Sequence, residues 1–557
     1  MYNIKHRYLI QEGNMIACPK CGAELHFDIT TQRLTCSFCG ISQSPDDNAS
    51  PGLYADEEKY GSSDSRQMNV ILYSCPQCGG SIYSTDESVN GFCSYCGSNV
   101  MLSSRMSKMR YPRFIAPFKI DKAACKQRYL NHIKNSFFTP KELKDPEYLD
   151  RFRGIYMTYW GYDVEVSGFI SLDGEKTERN GLYLDTDKYK CRGWLTTEYK
   201  GVFYDASSSF EDHYSERLAP FDYNSLVAFN PSYLSGFYAD MPDLADTVYE
   251  DNALFICKEN AFRSVHLQKY FPSLHFDASQ IDQFTKTLDA RTRMPYTTFF
   301  PVWFLSYRKN DRVAYAVVNG QTGRIVSDMP VDKNKFILSG LLISVPIFIL
   351  LCLLPSMPLN AMMLTGDIFS LSSVLMLYYM TKEVFIRKYR LYDKGYLSKH
   401  DRLNYKYILK MEADAQWQKK GNEGRLWIAI ICAAICLPVL LKSLAGMKML
   451  NALVLSGFMT VLLSIAAIWC ISRVFHMAGK SRWILSGSLF LILLSSILGY
   501  YIGIKHAYST FAYYTIFSCQ MAGNLLAQHT VLSQYNILTT RPLKQLDRQG
   551  GNDDAWD

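Results

Sequence analysis

Cys18-Pro19-Lys20-Cys21 … Cys36-Ser37-Phe38-Cys39 and Cys75-Pro76-Gln77-Cys78 … Cys93-Ser94-Tyr95-Cys96 repeat one pattern with the same gap of 14 residues. Each pair is followed by glycine, at Gly22, Gly40, Gly79 and Gly97. Two such turns joined by a short hairpin bring four thiolates to one tetrahedral Zn²⁺. Glycine tolerates the left-handed backbone that aims amide N–H groups at the sulfurs. The sequence therefore predicts two zinc ribbons, with Cys18, Cys21, Cys36 and Cys39 holding one metal and Cys75, Cys78, Cys93 and Cys96 the other. Four protein ligands fill the coordination sphere, so both Zn²⁺ ions are read as structural.

The alternative for these cysteines is a disulfide framework, which belongs to oxidising compartments. The first residues, MYNIKHRYLIQEGNMIACPK, are interrupted by Lys5, His6, Arg7 and Glu12 and lack a signal-peptide core. Metal-ligand usage in a reducing compartment is the expectation. A module this small buries too little apolar surface to fold alone, and zinc is expected to supply the missing free energy.

The chain has 557 residues, 48% of them hydrophobic and 14% aromatic, which excludes a disordered or low-complexity protein. A mean hydropathy of -0.08 conceals two unlike parts. Residues 1–335 hold 38 Lys+Arg and 41 Asp+Glu, a balance of -3; residues 336–557 hold 21 and 11, a balance of +10. The net charge of +7 thus belongs to the segments flanking the apolar runs.

Apolar runs at 336–354, 360–380, 426–441, 451–471, 483–504 and 507–526 read as six membrane spans. Lys and Arg concentrate in 381–425 and 472–482, which places both loops on the inner side. That orientation puts the N-terminal 335 residues and the C-terminus in the cytoplasm of a multi-pass inner-membrane protein. Asp367 is the one ionisable residue within a predicted span, either interfacial or on an ion path. The predicted fold class is multidomain: two small zinc ribbons, an α+β cytosolic domain and an all-α transmembrane bundle of about six helices. The segments are 1–46 (ribbon 1), 47–70 (acidic linker), 71–104 (ribbon 2), 105–335 (α+β domain), 336–380 (transmembrane hairpin), 381–425 (basic helical loop), 426–530 (helices three to six) and 531–557 (tail).

Within the α+β domain, apolar residues Cys125, Tyr129, Ile133 and Phe137 predict a helix over 123–138, stopped by Pro140. Segments 154–170, 182–196 and 301–325 are rich in strand formers. In the last, Lys309-Asn310-Asp311 and Asn319-Gly320-Gln321-Thr322-Gly323 are turn-forming and divide three strands of an antiparallel meander, Val302–Tyr307, Val313–Val318 and Arg324–Asp328. Ile155–Tyr162 echoes Phe299–Tyr307, which raises the idea of a duplicated unit.

Catalytic patterns are missing. There is no HExxH, GxSxG, GxGxxG or kinase motif, and Ala478-Gly479-Lys480-Ser481 lacks the first glycine of a phosphate loop because Val474 stands there. Asp212-His213 with Glu216 reads as a surface cluster, and Cys125, Cys191 and Cys257 read as small hydrophobes. No enzymatic activity is expected. Nucleic acid is not an expected partner either: residues 71–102, which hold all of ribbon 2, contain no Lys or Arg.

Cys-Pro-x-Cys-Gly, Phe300-Pro301-Val302-Trp303, Val318–Gly323 and the tail Asn536–Leu543 with Gly550-Gly551 together resemble bacterial membrane proteins described as containing a TFIIB-type zinc ribbon. The resemblance implies a membrane anchor in envelope-stress systems, with phage-shock protein A-type coiled coils or flotillin-like proteins as partners beside membrane lipid. The functional expectation is a scaffold that recruits proteins through its ribbons and acidic linker. A transporter or intramembrane enzyme with a cytosolic regulatory domain, and a membrane-tethered nucleic-acid binder, are the alternatives.

Overall fold

The structure, a computed structural model, describes residues 16–48, 67–77, 81–84, 93–97, 103–180, 183–207, 212–266, 274–276, 280–309, 312–353, 370–384, 462–472, 482–505 and 510–542. The first module is a three-stranded sheet of β1 (Leu25–Asp28), β2 (Arg33–Cys36) and β3 (Ser42–Gln43). Alternation sets the hairpin: Leu25, Phe27, Leu34 and Cys36 point inward. Its turn is built by Asp28, whose carboxylate accepts the Thr30 N–H at 3.0 Å and the Thr31 hydroxyl at 2.8 Å.

Fourteen of the described strands form one sheet. They are β4 (Gln67–Ser74), β5 (Ser81–Ser84), β6 (Ser103–Arg110), β7 (Phe114–Ile115), β8 (Arg153–Asn180), β9 (Tyr183–Asp205), β10 (Val227–Ala228), β11 (Tyr238–Asp240), β12 (His275–Phe276), β13 (Asp289–Thr292), β14 (Tyr296–Lys309), β15 (Arg312–Asn319), β16 (Ile325–Ser327) and β17 (Arg541–Pro542). The backbone order is β10-β7-β14-β8-β11-β5-β4-β6. Ribbon 2 is therefore part of the main sheet, because β4 and β5, which flank its first cysteines, continue into β11.

The meander expected over 301–325 is present as β14, β15 and β16. The two echoing segments pair with each other: Val302 faces Ile155, Phe300 faces Met157 and Tyr296 faces Gly161. Both run apolar because both lie at the centre of the sheet, buried on two faces. Helix α1 (Lys122–Ile133) starts on the Asp121 side chain, which accepts the Ala124 N–H at 2.7 Å, and buries Cys125, Tyr129 and Ile133. It stops short of the predicted 138, and Phe137 is exposed. β8 and β9 form a long arm. Val164, Val166, Ile170 and Leu172 of β8 pack under two helices, Glu250–His266 and Ile281–Thr287, through Ala253, Cys257, Phe262 and Phe284.

The C-terminal part departs from the expected transmembrane bundle. Among the described residues no helix is long and apolar enough to cross a membrane. The six-helix transmembrane fold and the multi-pass inner-membrane localisation predicted from the apolar runs are corrected on that finding. Helix Lys333–Leu353 holds Pro346, and helix Thr510–Leu538 carries Gln520, Asn524, Gln528 and Gln534 at buried positions. Gln528 donates to the Ser373 carbonyl at 2.9 Å, and the Ser488 hydroxyl to the Gly523 carbonyl at 2.7 Å. Among the described residues, Leu377, Ile471, Leu485, Ile492, Ala527 and Val531 share one helix-to-helix cluster. Trp483, Phe490, Ile497 and Leu525 stay exposed. The helix Thr510–Leu538 is fixed to the sheet by β17 on β15, and Asn536 exchanges hydrogen bonds of 2.8 and 2.9 Å with Val331, in the segment between β16 and the helix Lys333–Leu353. Most of the basic loop, the predicted third span and Asp367 lie outside the described residues.

Candidate metal centre

In ribbon 1 the four thiols converge. All four sulfurs lie within 4.8 Å of one another, with Cys18 Sγ 3.4 Å from Cys39 Sγ and Cys21 Sγ 3.6 Å from Cys36 Sγ. A tetrahedron with Zn–S bonds of about 2.3 Å has edges of about 3.8 Å, and an S–S bond is about 2.05 Å. The spacing fits a metal and excludes a bond. Gly22 and Gly40 close the two turns at φ 75° and 70°, their N–H groups donating to the Cys18 and Cys36 carbonyls at 2.8 and 3.0 Å.

Backbone amides tune these sulfurs. Burial opposes ionisation of Cys18, yet the N–H groups of Lys20 and Cys21 and the neighbouring thiols bring it down to about 6. The Cys39 N–H draws Cys36 below its ordinary value against burial. The Ala23 N–H also favours the Cys21 thiolate, but burial and the three other sulfurs push Cys21 up to about 12. The protons are thus shared unequally within the cluster, and a bound cation replaces them.

Ribbon 2 brings Cys75, Cys93 and Cys96 together, all three buried, with Cys75 Sγ 3.7 Å from Cys96 Sγ. Gly97 repeats the closing turn at φ 67°. Cys78 lies outside the described residues. Both clusters fit zinc.

Each ribbon is built into the domain rather than strung beside it. Cys18, Leu25, Phe27, Leu34 and Cys36 belong to the same core as Phe118, Tyr156, Tyr233 and Trp303. The Phe27 N–H donates to the Ser235 carbonyl at 3.1 Å, and the Gln32 amide to the Phe118 carbonyl at 2.7 Å. In ribbon 2, the Tyr95 ring meets Phe304 edge-on at 6.0 Å, and its hydroxyl donates to Asp240 of β11. Burial pushes the Asp240 carboxyl up to about 7. Burial, then the Asp240 charge, also holds the Tyr95 phenol well above its usual value.

The aromatic between the second cysteine pair therefore has opposite fates in the two ribbons. Tyr95 is 4% exposed and Phe38 86%. Sequence reasoning marked by spacing the seven described cysteines that cluster here and missed Asp240, which no motif marks. Cys125 and Cys257 are buried and pushed up to about 12 by that burial, unsuited to act as nucleophiles. Cys191 is only partly buried.

Residues 14–42, the length of ribbon 1, match the family described as Trm112p-like protein. The chain is similar to uncharacterized protein YdjG of Bacillus subtilis (strain 168), with 25% identity over 326 residues, 57% of this chain and 90% of that protein. No solved structure matches it. The N-terminal module is a zinc-binding ribbon of the Trm112p-like kind.

Proposed function

We propose that the chain is a non-enzymatic zinc-ribbon scaffold that recruits a protein partner through the tip of ribbon 1. The observation that carries this reading is Phe38, a large apolar side chain left 86% exposed on a turn whose backbone the metal cluster would make rigid. An exposed aromatic held on a preorganised turn is a common anchor for a protein interface, because little conformational entropy is lost when it is covered. In ribbon 2 the equivalent Tyr95 is consumed by internal packing, so that ribbon acts as a brace. Following the resemblance to TFIIB-type ribbon proteins, a coiled-coil protein of the phage-shock A type is the first partner to test.

The test places a photo-crosslinking phenylalanine at position 38, and separately at position 95, of the full chain in its native cell. Position 38 is expected to yield a discrete adduct with another protein, and position 95 none. Phe38→Ser should compete poorly against the labelled chain while keeping its zinc. Equal competition by Phe38→Ser would remove the tip of ribbon 1 from the account.

A further inference from the structure

β9 is 23 residues long, and among the described residues only β8 pairs with it. Its second edge carries a row of backbone donors and acceptors along the arm. Natural proteins blunt such edges, since an open one templates pairing with another strand. One face is packed, with Cys191, Leu195 and Tyr199 against the helix-covered core. The other face turns Lys188, Lys190, Arg192, Trp194 and Glu198 outward, and Trp194 is 79% exposed against Phe169 at 6.0 Å.

We infer that β9 pairs antiparallel with β9 of a second copy of this chain, with Gly193 on the two-fold axis. Charge complementarity singles out the second copy and the register. With Gly193 opposite Gly193, Arg192 faces Trp194 twice and Lys188 faces Glu198 twice, and no like charges meet between 186 and 200. Moving the axis to Arg192 sets that cation against itself. Moving it to Trp194 sets Lys188 against Lys200. The pairs continue rows already present on each arm, where Glu175 is 3.6 Å from Lys188 and Arg293 is 3.2 Å from Glu198.

The ladder also has natural ends. At Gly201 the backbone turns to φ 68°, its N–H donates to Asp163 at 3.0 Å, and the Tyr223 ring covers the position. By symmetry the pairing closes at Asp185 on the other strand. The 186–200 ladder adds on the order of fifteen backbone hydrogen bonds. A β-carbon added at Gly193 meets no atom within 4 Å, so the axis is sterically open.

The experiment uses the full, zinc-loaded chain. Sedimentation velocity at micromolar concentration is expected to give a dimer. Glu198→Lys and Lys188→Glu should each raise the dissociation constant at least about tenfold, and the double exchange, which rebuilds the pairs across the axis but breaks those with Glu175 and Arg293, should recover most of that loss. The restoration separates lost pairing from lost folding. Gly193→Cys should form an intermolecular disulfide under mild oxidation, since residues facing each other across the axis lie about 4.5–5.5 Å apart at Cα. Thr196→Cys, about 20 Å from its symmetry mate, should not. A monomeric wild type, whatever other strand the edge then accepts, overturns the inference. So does a Gly193→Cys chain that crosslinks no faster than Thr196→Cys.

Discussion

The Tyr95 hydroxyl, one residue before the last cysteine of ribbon 2, donates to the carboxylate of Asp240 on β11, and both residues are buried. This contact ties a zinc-binding turn to the centre of the sheet. It also makes the seam sensitive to pH, because burial raises Asp240 to about 7 from an ordinary value near 3.8. A carboxyl raised on folding stabilises the fold fully below its unfolded pKa, and that contribution is lost as pH climbs through the folded value. The wild type should therefore lose stability relative to Asp240→Asn between pH 5 and pH 8. Urea midpoints for both proteins across that range check the sign.

Tyr95→Phe keeps the ring against Phe304 and removes the donor. The cost expected is about 0.5–1.5 kcal/mol, that of one hydrogen bond, because Asp240 still accepts from Ser207 and the Met241 N–H. Phe38→Ser, at the same place in the exposed ribbon, should stay within about 0.5 kcal/mol of wild type. Chemical denaturation of the two variants side by side measures the asymmetry between the ribbons.

Zinc release should proceed in order. Cys21 is exposed and Cys39 half-buried, while Cys75, Cys93 and Cys96 are all buried. A chelator is expected to extract one metal per chain quickly and the second slowly, and Cys21→Ser should abolish the fast phase. A colorimetric zinc assay followed in time reads both phases. Loss of the fast metal should also loosen the shared core at Leu25, Phe27 and Leu34, visible as faster hydrogen exchange in β1 and β2.

Gly154 and Gly193 make a steric pair of opposite sign. A β-carbon at Gly154 would stand 2.6 Å from Phe237 and 3.2 Å from Phe118, inside a stacked aromatic core, whereas Gly193 faces open space. Gly154→Ala should destabilise by about 1–3 kcal/mol through overpacking. Gly193→Ala should be neutral or slightly stabilising, because alanine restricts the unfolded chain. Melting temperatures of the two variants distinguish these outcomes.

The cysteine spacing was legible because coordination fixes both residue type and distance along the chain. Strand content was legible for a similar reason: the alternation in 154–170 and the turn at Asn319–Gly323 are local facts. The C-terminal half was misread. Apolar runs look alike whether they face lipid or neighbouring helices, and the buried Gln528 finds its partner 155 residues away. Hydropathy alone carries no record of those partners.

By itself the sequence determined two thiol-rich turns with zinc-ligand spacing, a central antiparallel meander and a chain without a familiar catalytic motif. The tertiary structure alone decided that the ribbons share the domain's cores, that Tyr95 is buried while Phe38 is exposed, and that among the described residues one edge of β9 has no strand beside it. The reason is physical. Ligand spacing and strand alternation are set by covalent geometry over a few residues, but burial and edge exposure depend on what distant segments bring to the same place.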